Sequence, residues 1–328
     1  MAPSVNSTSA SSQSKSYPPG IHVPSLTFFD ASQRQEIDWR TQQQHLEFLV
    51  QSGVHGIVLA GTNGEAMTLT RTEKSQLVAL TKKLSQDAQS NLTITMGTSG
   101  TSTRDVLDDC DAAYTAGADF VLVLVPAFFH FAMTTEAICV FFEEVADYSR
   151  VPILIYNFPG VAAGLNVDSN MIDRLAKHSN IVGVKLTCGS IAKVTRAAAT
   201  HSPKDFAALA GQSDWLVPAL AVGGTGCVTG VGNLYPLLCL AVYNEYTKGN
   251  YDEAQRLQGK LALAELGFGD GGINGTKWVV GQLLGYPDEL RHCRNPYPQY
   301  LDKQKQEWLL KQVKIAEFEK SRLQKLSS

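Results

Sequence analysis

The chain has no closely spaced cysteine pair. Six cysteines stand apart at 110, 139, 188, 227, 239 and 293, which excludes the ligand spacing of a structural zinc site and dithiol redox chemistry. We read them as reduced. The seven histidines form no H-E-x-x-H or other close ligand pair, so no metal is expected, and no G-x-S-x-G elbow offers a hydrolase serine. Gly267-Phe268-Gly269-Asp270-Gly271-Gly272 fits the dinucleotide pattern only in letters. A helical pattern precedes it instead of a strand, so no cofactor is expected.

No apolar run is long enough to span a bilayer, and the N-terminus lacks the charged-then-apolar layout of a secretory signal. A cytoplasmic protein without a membrane partner is the expectation, and the N-x-[ST] triplets at Asn6, Asn91 and Asn274 are read as chance. Nor is there a basic surplus. With 28 Lys and Arg against 31 Asp and Glu, no broad positive field exists to hold nucleic acid, and a small molecule is the expected partner.

What the chain does have is alternation. Residues 1–18 are rich in Ser, Thr and Ala with one lysine and no arginine, a disordered tail lacking the arginines of a mitochondrial transit peptide. From Gly20 onward short β-like runs alternate with helical patterns. The runs are Gly20 to Phe29, Gly56 to Ala60, Leu92 to Gly97, Phe120 to Pro126, Val151 to Asn157, Ile181 to Gly189, Phe206 to Gly211 and Gly226 to Gly230. Eight β-then-α units over roughly 230 residues predict an α/β fold of the (β/α)8 TIM barrel type over 19–249, with an open doubly wound sheet as runner-up. Residues 250–328 read as added C-terminal helices: Tyr251 to Leu266, Ile273 to Leu284 and about Gln299 to Leu323. In the last, Trp308, Leu309, Val313, Ala316 and Phe318 form a packing stripe.

One residue conflicts with its surroundings. Lys185 ends the β-branched run Ile181-Val182-Gly183-Val184, where a long cation is depleted because desolvating an ammonium is costly. It is either a strand-end lysine bending into water or an amine nucleophile for a carbonyl substrate. Strand C-termini of such a barrel share the face that carries chemistry. Thr62 and Asn63 follow the second strand there, and Tyr156 and Asn157 end the fifth. The Gly61-Thr62-Asn63-Gly64-Glu65 turn exposes backbone N–H groups that suit a small carboxylate, and Tyr156 offers a phenol for proton transfer or an ordinary buried aromatic.

These three motifs, Gly61-Thr62-Asn63-Gly64-Glu65, Tyr156-Asn157-Phe158-Pro159 and Gly183-Val184-Lys185-Leu186-Thr187, resemble jointly those of the dihydrodipicolinate synthase and N-acetylneuraminate lyase family of class I aldolases. The resemblance runs from about Gly20 to Tyr286 and includes Lys277-Trp278. It implies that Lys185 forms a Schiff base with a 2-oxo acid and that Tyr156 transfers protons. It also implies that Gly61, Thr62 and Asn63 bind the carboxylate, that Val228 covers the imine, and that Glu65 holds the loop. A homotetramer, a dimer of dimers, is implied as well. Two departures narrow the expected reaction. The loop Pro159 to Gly164 lacks the arginine by which synthases grip a second carboxylate, and Phe128-Phe129 replaces their interface tyrosine. The wording is most similar to the family's aldolases of 2-keto-3-deoxy-L-galactonate, with 4-hydroxy-2-oxoglutarate aldolases second. A catalytically silent sugar-acid binder is the rival. Asn157, Thr187 and Thr229 are candidates for reading distal hydroxyls.

Overall fold

The computed structural model describes residues 16–98 and 100–316. Eight strands, β1 (Gly20–Pro24), β2 (Gly56–Leu59), β3 (Thr93–Thr98), β4 (Phe120–Leu124), β5 (Ile153–Asn157), β6 (Ile181–Leu186), β7 (Ala207–Ala210) and β8 (Gly226–Val228), pair in chain order, all parallel. β8 closes on β1, so the sheet has no edge and the expected (β/α)8 barrel is what forms. Between the strands run α1 (Trp39–Gln51), α2 (Arg71–Asp87), α3 (Thr103–Ala116), α4 (Thr135–Tyr148), α5 (Ser169–Leu175), α6 (Ile191–Thr200) and α7 (Leu216–Ala221). After them come α8 (Pro236–Thr247), α9 (Tyr251–Leu284) and α10 (Lys303–Val313).

Strand period explains the two cores. Ile57, Val123, Ile155 and Val184 face the helices, while Val58, Leu122, Leu154, Leu209 and Val228 fill the lumen. Polar caps set several helix starts: Asp38, Thr70 with Glu73 in a capping box, Ser102, Thr134 and Asp168 each accept a first-turn N–H. Such a cap contributes about 1 kcal/mol.

Three sequence expectations shift. Tyr17, read as tail, is buried and plugs the barrel floor, its hydroxyl 3.0 Å from His22 Nδ1 and 3.3 Å from Thr95 Oγ1. His22 Nε2 faces the Pro18 carbonyl at 3.0 Å, so its proton belongs there and Nδ1 accepts from Tyr17. β1 ends at Pro24, and Phe29 instead bridges Ile37 antiparallel. The two helices expected over 251–284 meet at Gly272, whose backbone leaves the helical range (φ 59°, ψ −164°), so the second begins at Ile273 as expected while the first continues beyond Leu266. There the dinucleotide-like glycines do structural work: a Cβ on Gly267 would stand 2.9 Å from Val313 Cγ2, where α10 packs. Leu309, Val313 and Ala316 are buried against α9, whereas Trp308 remains 40% exposed and Phe318 lies outside the described residues.

Candidate active site

Lys185 lies between Val184 and Leu186, both packed toward the helices, so its own side chain enters the lumen. It is 4% exposed. The bend into bulk water allowed by the sequence does not occur. β5 and β6 pair with Tyr156 opposite Lys185, and the amine stands 4.2 Å from the Tyr156 ring centroid. Among the described residues no carboxylate pairs with that amine. The Tyr156 hydroxyl is 3.0 Å from Thr62 Oγ1, which joins β2, β5 and β6 at one end of the barrel.

A cavity of about 510 Å³ opens at this end. Gly61, Thr62 and Tyr156 line it, whereas Lys185 is one side chain removed behind Tyr156. Val228 is buried in the lumen cluster with Tyr156 and Leu209. Asn63 follows Thr62 and is not among the residues lining that cavity; its Nδ2 stands 2.7 Å from where a Cβ on Gly230 would be. Val161 and Ala163, from the loop lacking an arginine, and Phe128 form part of the wall, and among the described residues no Lys or Arg lines it.

Of the three candidates for reading distal hydroxyls, two are already engaged. Asn157 donates to Asn166 Oδ1 at 3.0 Å and accepts from Val167 N at 2.9 Å. Thr229 donates to Ser213 Oγ at 2.9 Å. Thr187, two residues beyond Lys185, has a buried hydroxyl with no protein partner. It rests over Gly211, where a Cβ would meet Thr187 Oγ1 at 2.2 Å.

Glu65 anchors the loop that carries Thr62. Left-handed at φ 58°, it accepts from Lys277 Nζ at 2.8 Å and from the Arg294 N–H at 2.8 Å. Lys277 is fully buried, and that burial lowers its pKa against the pull of Glu65. Its amine also lies 4.3 Å from the Phe29 ring centroid.

The sequence reading missed Glu265. It sits on the buried face of α9 beside Leu261, Ala264 and Phe268, and an acid on an apolar stripe was the available signal. Burial pushes its carboxyl up to about 7, hydrogen bonds from Ser213 and Thr229 pull it down, and Asp214 raises it further. The folded carboxyl therefore keeps its proton above the ordinary 4.5, where the unfolded chain has lost it. Stability is fully retained below that value and falls by up to about 3 kcal/mol as pH rises toward the folded pKa. Glu265→Gln should remove this slope, so that its urea midpoint exceeds wild type at pH near 8 but not near 5; parallel pH dependences would contradict it.

The Dihydrodipicolinate synthetase family matches the chain over residues 18–316. The chain is 40% identical over 308 residues to a Coccidioides immitis protein named, provisionally, mitochondrial 4-hydroxy-2-oxoglutarate aldolase, covering 92% of this chain and 96% of that one. It is 36% identical over 280 residues to the L-threo-3-deoxy-hexylosonate aldolase of Hypocrea jecorina, covering 83% and 88%. A crystal structure of a dihydrodipicolinate synthase family protein from Coccidioides immitis superposes with a TM-score of 0.85 at 36% identity, over 94% of this chain and 99% of that one. With the barrel, the motifs and their geometry in agreement, the chain belongs to the dihydrodipicolinate synthetase family and is a pyruvate-dependent class I aldolase.

Proposed function

We propose that this aldolase cleaves a 2-keto-3-deoxy sugar acid, foremost 2-keto-3-deoxy-L-galactonate, to pyruvate and an aldehyde, here L-glyceraldehyde. The neutral Lys185 amine adds to the keto carbon, and loss of water gives a protonated imine. That iminium draws the electrons of the C3–C4 bond as Tyr156 takes the proton of the C4 hydroxyl, directly or through a water. The aldehyde leaves, C3 of the enamine gains a proton, and water hydrolyses the imine to free pyruvate and restore Lys185. Thr62, hydrogen-bonded to Tyr156, keeps the phenol aimed. Gly61, Thr62 and Asn63 receive the carboxylate, Val228 covers the imine, and Thr187 reads a hydroxyl.

The observation that carries this reading is the buried Lys185 amine against Tyr156, with no acid among the described residues competing for it. A cavity wall without Lys or Arg among the described residues supports a polyhydroxy tail over a second carboxylate, which would enter without a cationic partner. A second reading, 4-hydroxy-2-oxoglutarate aldolase, draws support from the name of the 40% identical relative. Pyruvate release from purified protein across both acids decides between them. We expect kcat/KM for the sugar acid to be at least about tenfold higher, the worth of one charge-assisted hydrogen bond. A preference for the dicarboxylate would overturn the assignment, and release from neither would favour a silent binder.

The exposed Phe128, Phe129 and Phe131 beside the cavity support assembly. We assign a homotetramer, to be checked by light scattering as four times 35.6 kDa. We place it in the cytoplasm; recovery in mitochondria would instead agree with the relative's name.

A further inference from the structure

We propose that Glu265, outside the barrel on α9, is a positioning residue for the Schiff-base site, its carboxylate holding the ends of β7 and β8 that stand beside Lys185. The proposal rests on the aldolase reading above. Glu265 Oε2 accepts from the Ser213 backbone N–H at 2.9 Å, from the Ser213 hydroxyl, and from the Thr229 hydroxyl at 3.3 Å. Ser213 and Thr229 are fully buried. Ser213 follows β7, whose Leu209 is the register partner of both Lys185 and Gly226, and Thr229 directly follows Val228. One carboxylate from the helical layer thus ties two strand ends next to the amine.

Docking of α9 does not require that carboxylate. Two turns earlier, Gln258 already donates to the Ser213 carbonyl at 2.7 Å and accepts from Val217 N at 2.8 Å. What Glu265 adds is an acceptor for the Ser213 N–H and hydroxyl, with the Thr229 proton shared between it and Ser213 Oγ, a role that an ionised carboxylate fills and a protonated acid disturbs by placing a donor among them. The titratable groups that face it are Asp214 beside Ser213, Cys227 on β8 and Cys239 on α8. Burial raises both thiols, so neither supplies charge near neutrality. Asp214 is the acid whose charge opposes ionisation of Glu265.

The test uses full-length protein and pyruvate itself. The pyruvate concentration for half-maximal borohydride trapping is measured from about pH 6 to about pH 8.5, and the Glu265→Gln value is divided by that of wild type, which cancels any pH dependence common to both. The ratio should be near one at the acid end, where wild type is also neutral at Glu265, and rise to about tenfold at the alkaline end, the worth of a hydrogen bond to a charged group. Ser213→Ala, which removes one donor to the carboxylate, should move the step to higher pH and gives a second route if the first variant folds poorly. Because Glu265→Gln is expected to raise stability above neutrality, weaker pyruvate capture in a firmer protein separates positioning from folding damage. A ratio that does not change with pH, whatever its size, overturns the proposal. So does a step that Asp214→Asn abolishes in wild type while Glu265→Gln leaves it in place. Absence of any trapping in wild type would instead remove the aldolase reading on which the proposal stands.

Discussion

Lys185→Arg will lose at least about a thousandfold in kcat while its fold and thermal midpoint stay close to wild type, as expected when a nucleophile is removed and not merely weakened. Arginine keeps a long side chain in place, but its guanidinium does not deprotonate and forms no imine. The lumen position sharpens the expectation. Lys185 faces the Tyr156 ring and makes no ion pair among the described residues, so no structural bridge is lost by the exchange. Tyr156→Phe should cost less than Lys185→Arg, about a hundredfold or more, since proton transfer by a positioned side chain contributes roughly that much and water replaces it in part. Steady-state pyruvate release, with circular dichroism of each variant, measures both. Comparable activity in wild type and Lys185→Arg would leave the Schiff-base chemistry without its nucleophile.

The second large effect is on stability. Lys277 and Glu65, 212 residues apart, form an ion pair whose side chains are each 1% exposed. Lys277→Met leaves the Glu65 carboxylate buried without its counter-charge, held only by the Arg294 N–H and the Cys293 thiol among the described residues, and breaking such a pair costs about 3–5 kcal/mol. The expected result is a fall of that size in denaturant unfolding, accompanied by loss of activity because Glu65 shapes the turn that presents Thr62 to Tyr156. A double variant, Glu65→Leu with Lys277→Met, removes the stranded charge and should regain much of the stability without the activity. If Lys277→Met unfolds like wild type, the pair does not hold the loop.

Strand content and closure were readable because parallel strands buried on both faces read as apolar runs, and eight of them at even spacing admit few arrangements. Lys185 and Tyr156 were readable for the same reason: each is a polar exception to a pattern, at the end of a strand. The surroundings of Asn63 were not legible, since a Gly-Asn-Gly turn does not disclose which neighbour its amide meets, and that neighbour, Gly230, is 167 residues away. The hydrogen bonds of Asn157 and Thr229 were hidden for the same reason, because they go to Val167, Asn166 and Ser213. Tyr17 escaped because a single aromatic beside a polar tail carries no periodicity. Glu265 was visible as an acid in an apolar stripe, but its partners Ser213 and Thr229 become its neighbours only when the barrel closes.

Covalent capture tests the central claim most directly. Wild-type protein incubated with pyruvate and borohydride, then digested and weighed by mass spectrometry, should carry one reduced pyruvyl group on the peptide containing Lys185, and Lys185→Arg treated alike should carry none. A label on another lysine, or no label in a preparation that releases pyruvate from its substrate, would contradict the account.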